Sequence, residues 1–472
     1  MQLKNTVLAL SANTALALLC LSQLLALYSS NAVFQTISSA FLLLFIGLQW
    51  RGLGRREHYL IAASITLSVL TVWRSANATE VLLSSVHKAA FLASFMMLLA
   101  TLREGASRSA SVSVLGRWVS SRPPGKRYIS ISAGGQVLGI LLNFGALNLL
   151  GPLLVKGAAS SSNGVVREWR LRRQLVALGQ GFAWLIAWSP TAVTGATAAA
   201  VIDGSQPLVI SLIGFLAAVG SIFIGWLYDK RQGALARNAL GSAAVVTSHQ
   251  ASALPVQAAQ RFAMLCMSLM SLSLSIKIVL GVGLIPALML CSPLVSLLWL
   301  ELQRRRHTLT HESSSLGLLI GGLRSGADDA IVLACGGFMG LVMAALVDAD
   351  SFAAQLSLLH WPVAFIYCLV MALIPLLSNL AIPPILSVTF IGSLLNAATL
   401  PHVDNNLLAC SLVIGWVLNL NGSMFGVANM IHGRISGRPT RELAWRWHGP
   451  LSVLTWLWCC ILIVTLSVYY SR

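Results

Sequence analysis

Eleven apolar runs, each close to the length that crosses a bilayer, govern what this chain can fold into: residues 6–27, 32–50, 58–73, 85–102, 174–202, 207–228, 262–276, 278–299, 330–347, 405–432 and 450–469. A helix rising 1.5 Å per residue needs about 17–25 apolar residues to span the hydrocarbon. In that medium every backbone N–H and C=O must be satisfied within the segment, so each run predicts a helix. Two further apolar stretches, 128–157 and 361–398, are too long for one crossing and are interrupted in the middle. The expected fold class is an all-α polytopic membrane protein with about 11 transmembrane helices. Composition agrees: 57% of the 472 residues are hydrophobic and 10% are charged, where soluble domains carry about 25% charged residues.

The net charge of +17 does not mean nucleic acid, because the basic residues sit in short loops between apolar runs. That is the positive-inside pattern. The eight cysteines lie in or beside apolar runs without CxxC spacing and read as small buried hydrophobes. Val7–Leu27 resembles a signal peptide but exceeds an h-region of about 7–15 residues, and the topology needs it as a span.

Orientation follows from the arginines. Arg51, Arg55 and Arg56; Arg103 to Arg127; Arg167, Arg170, Arg172 and Arg173; Lys230, Arg231 and Arg237; Arg304, Arg305 and Arg306; and Arg434, Arg438, Arg441 and Arg446 all belong on the cytoplasmic side. Both flanks of 128–157 are then basic, so this stretch enters from the cytoplasm and returns there. The flanks of 361–398 hold Asp348, Asp350 and Asp404 and no cation, so it enters and leaves outside. Each is expected to be a re-entrant hairpin, since about 30 residues are short for two full crossings. The chain becomes a multi-pass protein of the inner membrane with a cytoplasmic N-terminus.

Element for element, 58–228 (inner hairpin 128–157) then matches 278–472 (outer hairpin 361–398) with every direction reversed. Residues 1–57 add extra helices, and 229–277 form a cytoplasmic linker with one more helix. Inverted-topology repeats that hold substrate at broken helices are the layout of many secondary transporters. Laying Trp184 on Trp416 sets Ser189-Pro190-Thr191 over Asn421-Gly422-Ser423.

Four polar interruptions fall at membrane depth. They are Asn143 to Asn148, Ser189-Pro190-Thr191, Ser378-Asn379 before Pro383-Pro384, and Asn419 to Ser423. Irregular backbone there is tolerated only inside protein or beside a wet cavity. Broken helices aim free N–H groups and a positive dipole end at the gap, and their freed carbonyls suit a cation. Asn143, Asn148, Ser189, Thr191, Ser378, Asn379, Asn421 and Ser423 are the candidate substrate-binding residues, for a carboxylate or oxyanion held without an arginine. Gly145, Thr194, Asn419, Gly422, Asp328 and Asp329 are the candidates for ion coupling. The plainer reading of small polar residues is helix packing, and it is preferred for Thr197 and Asn429. Asp328 and Asp329 also read as first-turn acidic residues; the sharper reading pairs one of them with Arg324. Lys88 and Lys277 read as snorkelling lysines. His360, His402 and His432 are scattered near membrane ends without metal-ligand spacing, so no metal is assigned.

A hairpin and a broken span, repeated inverted, resemble the ion transporter superfamily, which includes divalent-anion/Na+ symporters, citrate carriers and arsenite permeases. Its hairpin tips carry Ser-Asn-Thr motifs. Here the outer tip has Ser378-Asn379 with Leu380 in place of Thr, and the inner tip has Asn143 preceded by Leu142. Over residues 58–469 the resemblance implies an elevator-type carrier of a small anion, Na+ as a coupling ion with no other cofactor, and a homodimer in the lipid bilayer. No nucleotide motif suggests a primary pump. An enzyme on lipid-linked substrates would want a sizeable outer loop with Arg, His or carboxylates, which is missing. A non-catalytic subunit of an export or envelope-biosynthesis assembly is the alternative.

Overall fold

The computed structural model describes residues 2–29, 31–159, 164–240, 253–305 and 314–470, and among these every regular element is helical. Three helices open the chain, α1 (Gln2–Ser29), α2 (Ala32–Gln49) and α3 (Arg55–Arg74). Then come α4 (Ala78–Ser107), the short α5 (Ala110–Ser120), α6 (Pro124–Leu142), α7 (Gly145–Ala159), α8 (Gly164–Trp188), α9 (Val193–Val201) and α10 (Pro207–Leu240). The second half holds α11 (Val256–Leu280), α12 (Leu284–Arg305), α13 (Ser315–Ser325), α14 (Ala327–Ala345), α15 (Ala349–Leu358), α16 (Val363–Asn379) and α17 (Pro384–Ala397). It closes with α18 (Asn405–Gly422), α19 (Val427–Ser436), a π-helical segment (Glu442–His448) and α20 (Gly449–Tyr470).

Nine stretches among the described residues are long and apolar enough to cross a membrane, and a tenth arises if α15 and α16, bent by 115°, are counted together. The chain is a multi-pass membrane protein. The expected runs 58–73 and 174–202 are not among the nine. Helix α3 starts on Arg55-Arg56-Glu57, and α8 carries Arg167 to Arg173 in its first turns before it stops at Trp188.

Other boundaries move for local reasons. The stretch 103–127, read from sequence as a loop, is the last turn of α4, the surface helix α5 and the foot of α6. Gly281, at φ +64°, ends α11, so Lys277 sits in that helix's last turn rather than between spans; a left-handed residue there costs glycine little. The charged stretch before 361 contains α15, capped by Asp348. Residues 241–252 of the expected linker, and Arg306, lie outside the described residues.

The packing is reciprocal. Helix α6 lies along α8 and α16 along α18, while α7 packs on α19 and α17 on α9. Helix α4 meets α12 and α3 meets α14, with α4 against α14 at the junction. Helices α8 and α18 touch at the centre and are the most thoroughly buried: every residue from Gln174 to Ala187 and from Leu407 to Asn421 is buried. Small residues permit this closeness, as membrane helix pairs require. Gly181, for example, lies so near α6 that a Cβ would sit 2.2 Å from the Ser132 carbonyl oxygen.

Candidate functional site

The first break is built by Pro190. Proline has no N–H to give to the carbonyl four residues back, and its ring crowds that carbonyl. The orphaned group is Ile186 C=O, and the Thr194 hydroxyl reaches across the break to it at 2.5 Å. The Ser189 and Thr191 hydroxyls lie 2.8 Å apart, and Thr191 donates to Ile140 C=O of α6 at 2.9 Å. A local turn, Ala192 N–H to Ser189 C=O, restarts the chain as α9. The hairpin α6–α7 turns at Asn143 with φ +50° and ψ −130°. Such a backbone costs of order 1–3 kcal/mol and concentrates at functional sites.

These two irregularities face each other across a cleft of about 30 Å³, lined by Asn143, Ser189, Thr191, Ala192, Val193 and Arg103 among others. That volume holds a water or two or a small ion. Helix α9 points its N-terminus here with no side-chain cap and no acidic residue in its first turn, a ready anion site. Arg103 corrects the expectation of a pocket without arginine. Counting basic residues assigned it to a cytoplasmic loop, but α4 runs on to Ser107 and carries it to the hairpin tip. A Cβ on Gly145 would meet the Arg103 stem at 3.7 Å. Its guanidinium donates to the Ser325 carbonyl and hydroxyl at 3.0 and 3.2 Å. The available signal was its position directly after the run 85–102, where a long side chain turns back into the protein.

The second break repeats the local geometry. Ser423 N–H bonds to Asn419 C=O and Gly426 N–H to Ser423 C=O, as Ser189 N–H bonds to Leu185 C=O and Ala192 N–H to Ser189 C=O. Ser189 therefore corresponds to Ser423, two residues from the register that overlaid Trp184 on Trp416. A shared tryptophan could not fix that register; the turn hydrogen bonds do. Asn379, at the tip of the α16–α17 hairpin, ties the two elements together. Its Nδ2 donates to Pro375 C=O and Gly422 C=O at 2.9 and 3.2 Å, and its Oδ1 accepts from Met424 N–H and Trp445 Nε1–H at 3.3 and 3.2 Å. Ser378 beside it is buried. The Ser423 hydroxyl accepts from Phe425 N–H, and Asn429 Nδ2 donates to Asn421 C=O and Ser423 C=O.

Three buried amide oxygens here, on Asn419, Asn421 and Asn429, have no hydrogen-bond partner. Next to them the fully buried rings of His432 and His448 stack with centroids 6.3 Å apart, and none of their four nitrogens has a partner. Gly179 of α8 admits this group: a Cβ there would lie 2.7 Å from His448 Cε1 and 2.8 Å from Asn421 Oδ1. Sequence order placed His432 near a membrane end and gave His448 no role, because only the π-helical segment brings them together.

Three expected site residues lie elsewhere. Asn148 is exposed and bonds only to Phe144 C=O of its own helix. Asp328 and Asp329 occupy the first turn of α14, exposed and outside the cleft, and neither pairs with Arg324. Gly145 starts α7, and Gly422 contributes its carbonyl to Asn379.

No protein-family model matches the sequence, and no curated protein sequence matches it. Solved structures do share the fold. The YdaH transporter of Alcanivorax borkumensis, whose crystal structure is described as revealing an unusual topology, superposes with a TM-score of 0.59 at 14% identity, over 89% of this chain and 98% of that one. MtrF of Neisseria gonorrhoeae, described as illuminating a class of antimetabolite efflux pumps, superposes with a TM-score of 0.56 at 12% identity, over 87% of this chain and 94% of that one. At such identities the likeness is one of fold.

Proposed function

We propose that this chain is a secondary active transporter that moves a small organic or inorganic anion across the inner membrane, coupled to Na+ or H+. The observation that carries the reading is the cleft where Arg103, the uncapped N-terminus of α9 and the hydroxyls of Ser189 and Thr191 converge. A cation, free N–H groups and neutral hydroxyls are the donors a carboxylate or oxyanion takes. The near-full-length likeness to a transporter and to an efflux pump supports it. The pairing of each hairpin with its broken span supports an inverted repeat over 58–228 and 278–472, and an assignment near the ion transporter superfamily. At about 30 Å³ the cleft must widen to take a carboxylate, as it would when hairpins and broken spans move together in an elevator-type step. The unpartnered amide oxygens of Asn419 and Asn421, with the histidine pair, form the end where the coupling ion would act. No step of this reading is catalytic.

Uptake of labelled succinate, citrate and sulfate into proteoliposomes, under a Na+ gradient, a pH gradient or neither, tests it. Flux is expected for at least one probe and one gradient. Arg103→Gln is expected to weaken uptake at least about tenfold, as the loss of one charge-assisted contact implies. Absence of flux for every probe under both gradients, in protein shown to be folded, overturns the proposal.

A further inference from the structure

A second site of positive charge lies apart from the cleft, where the foot of α6, the first turns of α8, the middle of α10 and the π-helical segment meet. Arg127, Arg170, Arg172 and Arg173 are all half-buried there. Asp229 of α10 is the carboxylate that faces them, and Arg173 occupies both its oxygens at 2.7 Å. The neighbouring acids are engaged elsewhere: Glu168 pairs with Arg438, and Glu442 accepts from Trp447 Nε1–H. Arg127 Nε and Arg172 Nη2 donate to the backbone carbonyls of Arg122 and Arg446, which carry no compensating charge. The Nε of Arg170 is buried without a partner. Burial, and then repulsion from Arg170 and Arg173, push Arg127 down to about 10 against the pull of Asp229; it stays charged at neutral pH. Trp169, Tyr228 and Trp447 wall a pocket of about 20 Å³ between Arg172 and Arg173.

Four guanidinium groups against one carboxylate, partly withdrawn from water, call for an anion. Guanidinium forks match phosphate oxygens, and Trp and Tyr suit the headgroup level of a bilayer. Basic pockets between membrane helices are known lodgings for lipid headgroups. We infer that this cluster binds the phosphate of an anionic phospholipid, with Arg127, Arg170 and Arg172 as its ligands and Asp229 holding Arg173 in place. Such a phosphate bridges the hairpin α6–α7, the broken span α8–α9 and the π-helical segment from the basic side. Because none of these residues lines the cleft, the inference stands or falls independently of transport.

The test uses the full chain in mixed micelles and reads both thermal stability and the lipid retained in native mass spectrometry. Phosphatidylglycerol is expected to raise the melting midpoint over phosphatidylcholine and to be retained in preference to it. Arg127→Gln with Arg170→Gln is expected to abolish the midpoint difference and cut retention at least about tenfold. Should the double variant fold poorly, Arg170→Gln alone serves, since its Nε has no partner within the protein. Inorganic phosphate run in parallel separates the sources: stabilisation by phosphate equal to that by the lipid assigns the same ligands to free phosphate. Equal midpoints in the two lipids without a phosphate effect, or an undiminished lipid effect in the variants, overturns the inference.

Discussion

Gly181→Ala is the substitution whose consequence can be worked most directly from the geometry. Its new Cβ would stand 2.2 Å from the Ser132 carbonyl oxygen, 2.6 Å from Ser132 Cα and 2.7 Å from the carbonyl carbon. All three are backbone atoms, so no rotamer change relieves the clash. A carbon–oxygen contact settles at about 3.3–3.6 Å, so α6 must withdraw from α8 by about 1 Å. That withdrawal stretches the 2.9 Å bond from the Ser132 hydroxyl to Ala177 C=O beyond the useful range. Overpacking of this kind costs about 1–3 kcal/mol, and the strained hydrogen bond adds about 1 kcal/mol. Alanine returns about 1 kcal/mol of helix propensity, leaving a net loss of about 1–3 kcal/mol. Gly195→Ala is the control, because a Cβ there meets nothing within 4 Å; it is expected to be neutral or to stabilise by up to about 1 kcal/mol. Thermal unfolding in detergent, followed by tryptophan fluorescence, should order the midpoints as Gly195→Ala at or above wild type and Gly181→Ala clearly below. A Gly181→Ala protein that melts with wild type would refute the proposed closeness of hairpin and broken span.

Two further outcomes follow from single side chains. Asn379→Ala leaves Met424 N–H, Trp445 Nε1–H and Gly422 C=O without their partner and is expected to cost about 1–3 kcal/mol in the same melting assay. The exposed neighbour change Leu380→Ala is expected to stay within about 0.5 kcal/mol, and equal midpoints for the two would count against the tie. Asp348 caps α15, and the Ser351 hydroxyl, then the backbone N–H groups of Ser351 and Asp350, hold its carboxyl below the usual aspartate value. Its contribution is therefore present above the unfolded value near about 3.9 and is lost as the pH falls through the lower folded value. Amide exchange at Asp350 and Ser351, corrected for intrinsic rates, should lose protection over that interval; constant protection would contradict the cap.

The sequence by itself determined that this is a helical membrane protein, and where its helices break. Both are local matters. Run length and the cost of unpaired backbone groups dictate helices across a bilayer, and Pro190, Asn143 and Gly426 disrupt the ladder wherever the rest of the chain lies. The same locality explains the candidates that fell outside the cleft: Asn148, Asp328 and Asp329 have suitable chemistry, but helical phase and end position point them away.

Tertiary structure alone decided which residues meet. Arg103 was counted with a basic loop because charge rules read sequence neighbours, whereas α4 continues far enough to bring its guanidinium to a hairpin more than 30 residues on. His432 and His448 come from different helical elements, and only the π-helical segment stacks their rings. The register that sets Ser189 against Ser423 depends on turn hydrogen bonds that no shared tryptophan reports. The excess of arginine around Asp229 likewise emerges when four separate elements pack, since burial and charge compensation belong to the assembled fold.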